Sequence, residues 1–281
     1  MSKKLYTEAY VQNIADAIRE KNGLTDTYML GEMATAIRAI QTGSDLLALA
    51  SGSETFDLDD ATVPTEATSI PQYMFYGNSN VRDIAFSSII SVGTYTFSGC
   101  HNIRNIDLPE CTTINENAFY QCRRSGTPAS SNVFNLPKCT NIGVNGFYEF
   151  GFTNQNLVIN LPECTTLSNG AFRAVSAQYG MNVKEVNLPK IQTIGDRAFQ
   201  RATIETFKIG DTVTALGTSV FTTANITNLY CYATTPPTVG TNLAGSDGII
   251  THIYVPAASV AAYKAASGWS AYASVIEAIP A

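Results

Sequence analysis

One phrase recurs along the chain: IDLPECTTINENAF at 106–119, FNLPKCTNIGVNGF at 134–147, INLPECTTLSNGAF at 159–172 and VNLPKIQTIGDRAF at 186–199. Aligned on one phenylalanine per unit, Phe75, Phe97, Phe119, Phe147, Phe172, Phe199 and Phe221 stand 22, 22, 28, 25, 27 and 22 residues apart. Five residues before each stands Ile70, Val92, Ile114, Ile142, Leu167, Ile194 or Leu216. Eight before stands Ala67, Ile89, Cys111, Cys139, Cys164, Ile191 or Val213. Three apolar positions in register over seven units imply one supersecondary unit stacked on copies of itself. A unit this short cannot bury its apolar face alone, so neighbours share one continuous core.

Within a unit, apolar residues alternate at Ile106 and Leu108 or Val186 and Leu188, which predicts a short strand with one face inward. Pro109, Pro137, Pro162 and Pro189 then end the strand, since proline cannot donate to a ladder. The C-T-x-I segment predicts a second short extended piece, and x-x-A-F a single helical or 3₁₀ turn. The period and the L-x-L-x-x-C spacing point to an α/β leucine-rich-repeat solenoid, right-handed, of about seven strand-plus-helical-turn coils. At about 4.8 Å per coil the stack spans roughly 35 Å. Extra residues after the Phe, at about 121–132, 148–156 and 173–182, predict insertion loops on one edge. The last unit, FKIGDTVTALGTSVF, sets Phe207 and Ile209 one residue further from its Phe and lacks the proline.

The ends follow other rules. Val11, Ile14 and Ile18, then Leu30, Met33, Ile37 and Ile40, recur at helical spacing and predict an N-terminal helical pair. These helices either cap the open edge of the solenoid or dock into another protein chain, since such a stripe also fills a partner groove. At the other end Tyr254-Val255-Pro256 leads into an alanine-rich helix, with Trp269 and Tyr272 available to cover the last coil. The expected division is an attachment or capping module at 1–43, the solenoid at 44–230 and a C-terminal cap at 231–281.

The recurring L-P-x-C/V-T-x-I-x-x-x-A-F pattern, from about 63 to 221, resembles the BspA-type (treponemal) leucine-rich repeat, and HIYVPAASVAAYKAASGWSAYASVIEAI at 252–279 resembles that family's closing segment. The resemblance implies a bacterial surface or virion protein that binds partners and has no shared catalytic site. YVQNIADAIREKNGLTDTYMLGEMATAIRAI is similar to a helical module of gut phage and prophage tail and virion-surface proteins. That implies attachment to a virion, or self-assembly, through residues 1–43, on tail or capsid.

Composition narrows the chemistry. Seventeen basic against 23 acidic residues give a formal net charge of −6, with no basic block, so no nucleic-acid partner is expected. No apolar run is long enough to insert into a membrane, and the opening MSKKLYTEAYVQ lacks the apolar core of a signal peptide. The two histidines, His101 and His252, lie far apart, and no nucleophile, phosphate-loop or zinc motif occurs. A glycan hydrolase would need two carboxylates across one bond, and no such pair is visible. No enzyme activity, cofactor or metal is therefore expected. The acidic run of Glu54, Asp57, Asp59 and Asp60 has no calcium-loop spacing and predicts a solvated edge.

The cysteines follow register. Cys111, Cys139 and Cys164 share a site with Ile89, Ile191 and Val213, which predicts buried packing, with a disulfide between coils as the other reading. Two polar columns face outward. Asp107, Asn135, Asn160 and Asn187 precede each Leu-Pro, and Thr113, Asn141, Thr166 and Thr193 share one offset in the second extended piece. Each is either a side-chain ladder or a flat recognition face suited to a glycan or a host-surface protein. The insertion loops offer a rival edge, with Tyr148, Phe152, Tyr179 and Met181 as candidate contacts. The expected function is non-enzymatic host-surface or glycan recognition on a phage or prophage virion. The alternative is a BspA-type adhesin that is exposed on a bacterial cell or secreted.

Overall fold

The computed structural model describes residues 56–59, 68–122, 133–151, 155–245 and 247–280. The predicted helical pair, with Val11, Ile14, Ile18, Leu30, Met33 and Ile37, lies outside the described residues, as do Glu54, Asp60 and Phe152.

Each coil crosses two parallel ladders. The long face begins with strands Phe56–Asp59, Val81–Ala85, Asn105–Asp107 and Phe134–Asn135. It continues, next to Phe134–Asn135, with Val158–Asn160, Asn182–Leu188, Thr203–Ile209, Asn225–Cys231, Ile249–Val255 and Ile276–Ala278. The short face is an eight-stranded ladder of two-residue strands from Ser69–Ile70 to Thr238–Val239. All pairings in both are parallel, and each corner between the ladders turns about Leu-Pro or its equivalent. The parallel stack runs on past residue 230 through Ile249–Val255 and Ile276–Ala278.

Because strand side chains alternate, one set from each ladder enters the core. Ile84, Ile106 and Phe134 form one inner row, and Ile159, Val186, Phe207, Leu229, Ile253 and Ile276 continue it, all buried. The seven repeat phenylalanines form a single ring stack from Phe75 to Phe221, with successive centroids 4.8–6.0 Å apart.

The third side of the coil differs from expectation. The x-x-A-F segment is a chain of hydrogen-bonded turns and contains no helical turn. Its amides alternate. Tyr76 and Asn78 donate back to Tyr73 and Phe75 within the coil, whereas Tyr73, Phe75 and Gly77 donate to Thr94, Thr96 and Ser98 of the next. A helix would spend every amide inside its own coil; alternation leaves a third ladder between coils. Alternation also requires left-handed backbone on both sides of the ring, as at Tyr95 and Gly99, Asn117 and Gln121, Arg197 and Arg201, and Ser219 and Thr223.

The cap closes the last coil with polar anchors on large apolar bodies. Tyr263 and Trp269 are fully buried and meet edge to face at 4.9 Å. The Tyr263 hydroxyl donates to the Ala233 carbonyl at 2.9 Å, and the Trp269 indole donates to the Pro237 carbonyl at 2.9 Å. Tyr272 bonds Asn242 through its hydroxyl, which also accepts from the Ala244 amide. Its neighbour helix, Val260–Ala265, is six residues long.

Candidate functional site

The first polar column occupies the outer side of the long face, where pleating turns alternate residues away from the core. Asp107 pairs in register with Asn135, and Asn160 with Asn187. Asn135 donates its amide to Asp107 at 2.7 Å, and Asn187 donates to Asn160 at 2.9 Å. These side chains therefore form a ladder and also present the remaining amide and carboxylate oxygens to solvent. Lys138 and Glu110, and Lys190 and Glu163, form exposed rungs beside them at the proline corners.

Beyond Asn187 the same register continues through Lys208, Tyr230, Tyr254 and Glu277. Tyr230 stacks on Tyr254 at 4.8 Å and lies 6.3 Å from Tyr232, with His252 beside Tyr254 at 5.8 Å. Lys208 is held by Glu185 at 3.0 Å. The amide column thus passes into a tyrosine row. Sequence reasoning missed this extension because units were aligned on phenylalanine. Alternation in FKI, LYC and IYV, counted from the strands, places Lys208, Tyr230 and Tyr254 in line with Asn187.

The change of character coincides with a change at the corner. From Leu188 to Ile194, Ile209 to Leu216 and Cys231 to Val239, each paired corner is one residue longer than the last. Pro189 of the first becomes Gly210 in the second and Tyr232 in the third. A Cβ at Gly210 would overlap the Pro189 carbonyl, so the two backbones touch there. A hollow of about 340 Å³ remains, lined by Asn187, Pro189, Gly210, Asp211 and Tyr232.

The second column lies on the short face. Thr113, Asn141, Thr166 and Thr193 pair in register, but the hydroxyl ladder runs one residue earlier. Thr112, Thr140 and Thr165 donate to the carbonyls of Ile90, Thr112 and Thr140 at 3.1–3.2 Å.

Tyr148 and Tyr179 lie on the turn side, away from the long-face column. Tyr148 is buried, stacks on Tyr120 at 4.6 Å and has the Arg173 guanidinium 5.8 Å from its ring centre. Tyr179 is half-buried at the end of the 3₁₀ turn Ala177–Tyr179, and Met181 is buried in the core. The residue that organises this edge is Glu149, which register alone did not single out. Its buried carboxylate accepts from the Gln121 amide and from the backbone amides of Val175 and Ser176, so it anchors the start of the third insertion.

All six cysteines are free and buried. Burial pushes the Cys111 thiol up to about 11 and those of Cys100 and Cys164 up to about 12, so the thiolate needed for metal binding or nucleophilic attack is suppressed. Cys100 and Cys122 donate to the carbonyls of Phe75 and Phe97 at 2.9 Å. Among the described residues no three His, Cys, Asp or Glu side chains gather to hold a metal ion, and no helix is long and apolar enough to cross a membrane.

The family pattern described as the BspA type leucine-rich repeat region matches in six copies, over residues 53–178 and 127–229. No curated protein matches the chain. Among solved structures it is similar to a leucine-rich repeat protein from Bacteroides ovatus, at 15% identity and a TM-score of 0.34. That likeness covers 76% of this chain and 65% of the other. The matched repeats coincide with the coils whose ladders and ring stack are described above, over more than half of the sequence: the chain belongs to the BspA-type leucine-rich repeat family.

Proposed function

We propose that the protein is a non-enzymatic binding component of a phage or prophage virion surface, on tail or capsid, that recognises a host-surface protein or glycan through the long outer face. The observation that carries this reading is the outward column that runs in register from Asp107 to Asn135 and from Asn160 to Tyr254, in which hydrogen-bonded amides give way to stacked tyrosines. Its rungs are fixed by ladders on both sides, so little side-chain freedom is lost when a ligand docks. Membership in a repeat family with a surface and binding role supports the same reading. The virion setting is supported by the resemblance of the N-terminal segment, which would attach the protein to its assembly.

The test uses the full chain, labelled and incubated with intact cells of candidate host bacteria. Binding should fall at least tenfold when Asn160→Lys and Asn187→Lys are combined, because two ammonium groups would occupy the column. Unchanged binding by that variant would overturn the long-face assignment. Deleting residues 1–43 should remove the chain from purified particles and leave the melting of the solenoid unaltered. A chain retained in the cell envelope and absent from released particles would point instead to a bacterial adhesin.

A further inference from the structure

We infer that the hollow between Pro189 and Tyr232 is a subsite for one neutral hexopyranose unit of a glycan; this inference rests on the reading of the long face as a recognition surface. The hollow measures about 340 Å³, at the small end of ligand sites and suited to a single ring-sized group. Tyr232, 39% exposed, stands on one side of it and the Pro189 corner on the other. An aromatic ring offers its electron-rich face to the C–H groups on the flat side of a sugar.

The polar lining determines what the ligand must bring. The Asp211 carboxylate has no hydrogen bond or ion pair among the described residues. Asn187 has given one of its two N–H groups to Asn160, which leaves its oxygen as an acceptor and its other N–H as a donor. Asp211 can only accept, so the ligand must donate to it, and vicinal hydroxyls do so in pairs to one carboxylate while they also accept from the Asn187 N–H. An anionic sugar does not fit, because no basic residue lines the hollow and the flanking Lys190 and Lys208 are tied to Glu163 and Glu185. A peptide strand finds no edge to extend, since Thr203–Ile209 is paired on both sides. A quaternary ammonium ion needs rings closed around it, whereas Tyr230, Tyr232 and Tyr254 stack side by side and only Tyr232 lines the hollow.

Calorimetric titration of the full chain with cellotetraose, maltotetraose, mannotetraose and chitotetraose tests this, with sialyllactose and choline chloride as charged comparisons. At least one neutral tetrasaccharide should bind, with a dissociation constant on the order of millimolar. Tyr232→Ala should weaken it at least tenfold and the near-isosteric Asp211→Asn several-fold, with melting temperatures unchanged. Tyr76→Ala, which removes an exposed ring far along the stack, should leave it as it was. Neutral binding that survives both Tyr232→Ala and Asp211→Asn would overturn the subsite, and so would binding of choline or sialyllactose alone. If no tetrasaccharide binds while the chain still captures cells, the subsite fails and the long-face reading stands. If neither cells nor sugars are bound, both fail.

Discussion

Between Asn105 and Asn160 the long-face strands are two or three residues long, whereas from Asn182 to Val255 four successive strands run seven residues each. The difference begins where the chain returns from the turn. Insertions do not set this length, since Asn105–Asp107 stands in a unit without one and Asn182–Leu188 follows the one after Phe172. In the later coils the buried Val183, Ile204, Ile226 and Ile250 are paired in register, whereas Ile103 and Leu157 of the earlier coils are buried outside any strand. The additional ladder bonds per coil should make the C-terminal half the stiffer one. The tyrosine row and the hollow sit on that half, so the proposed recognition face would rest on the platform with the longer ladders.

The strongest attempt to break the comparison removes one ring from each half. Phe147→Ala and Phe199→Ala should each cost about 3–5 kcal/mol, because both rings are buried in the stack and cannot be replaced by solvent. In a nearest-neighbour stack the damage stays local. Hydrogen exchange should therefore show Phe147→Ala stripping protection from 91–122, 133–151 and 155–172 and sparing 203–245 and 247–255. Equal loss across both regions would mean a single cooperative unit, and the contrast between halves would have no energetic content.

A smaller effect sharpens the C-terminal side. Tyr263→Phe keeps the buried ring and leaves the Ala233 carbonyl and the Cys231 thiol without their hydroxyl partner. The expected loss is about 1–3 kcal/mol in urea titration. Exchange should rise at 225–255 and stay unchanged at 105–120.

Much of this architecture is legible in the repeat. The phenylalanine stack, the core cysteines and the Asp107 to Asn187 column all follow from spacing, because each coil imposes the same inward and outward alternation. Three features were not legible, for different reasons. One unit alone lets x-x-A-F read as a helical or 3₁₀ turn; the amides instead reach the neighbouring coil, which no single unit reveals. The hollow depends on corners that lengthen by one residue per coil, so an alignment on Phe221 shifts Ile209 and hides Tyr230 and Tyr232 from the column. Glu149 acts through an insertion loop, where the repeat carries no register.

The left-handed positions offer a gain rather than a loss. Thr223 is β-branched at φ 52°, whereas Gln121, its counterpart in the first half, stands at φ 54° with its amide on Glu149. Thr223→Gly should stabilise by about 0.5–1 kcal/mol, since glycine adopts this backbone without a Cβ clash. Gln121→Gly should show no net gain, because relief of strain is offset by the lost contact to a buried carboxylate. Melting curves of the two variants decide whether the halves differ in how they use the same backbone geometry.

The smallest effect is read by pH at the N-terminal end. Asp57 accepts from Arg82 at 2.9 and 2.6 Å, and this hydrogen bonding holds its carboxyl below the usual carboxylate value near 4. A carboxylate lowered in the fold contributes stability above its unfolded pKa and loses it as pH falls through the folded one. Strand Phe56–Asp59 should therefore loosen from Val81–Ala85 below about pH 4, and weakly, because both partners are more than a third exposed at 42% and 35%. Arg82→Gln removes the partner without removing the strand. At pH 6 the variant should exchange faster at 81–85 than the unaltered chain. At pH 3, with intrinsic rates corrected, the gap between the two should be narrower than at pH 6, while 203–255 stays matched throughout. A difference of the same size at both pH values would show that Arg82 acts by packing alone, and that acid does not open this end of the stack before the other.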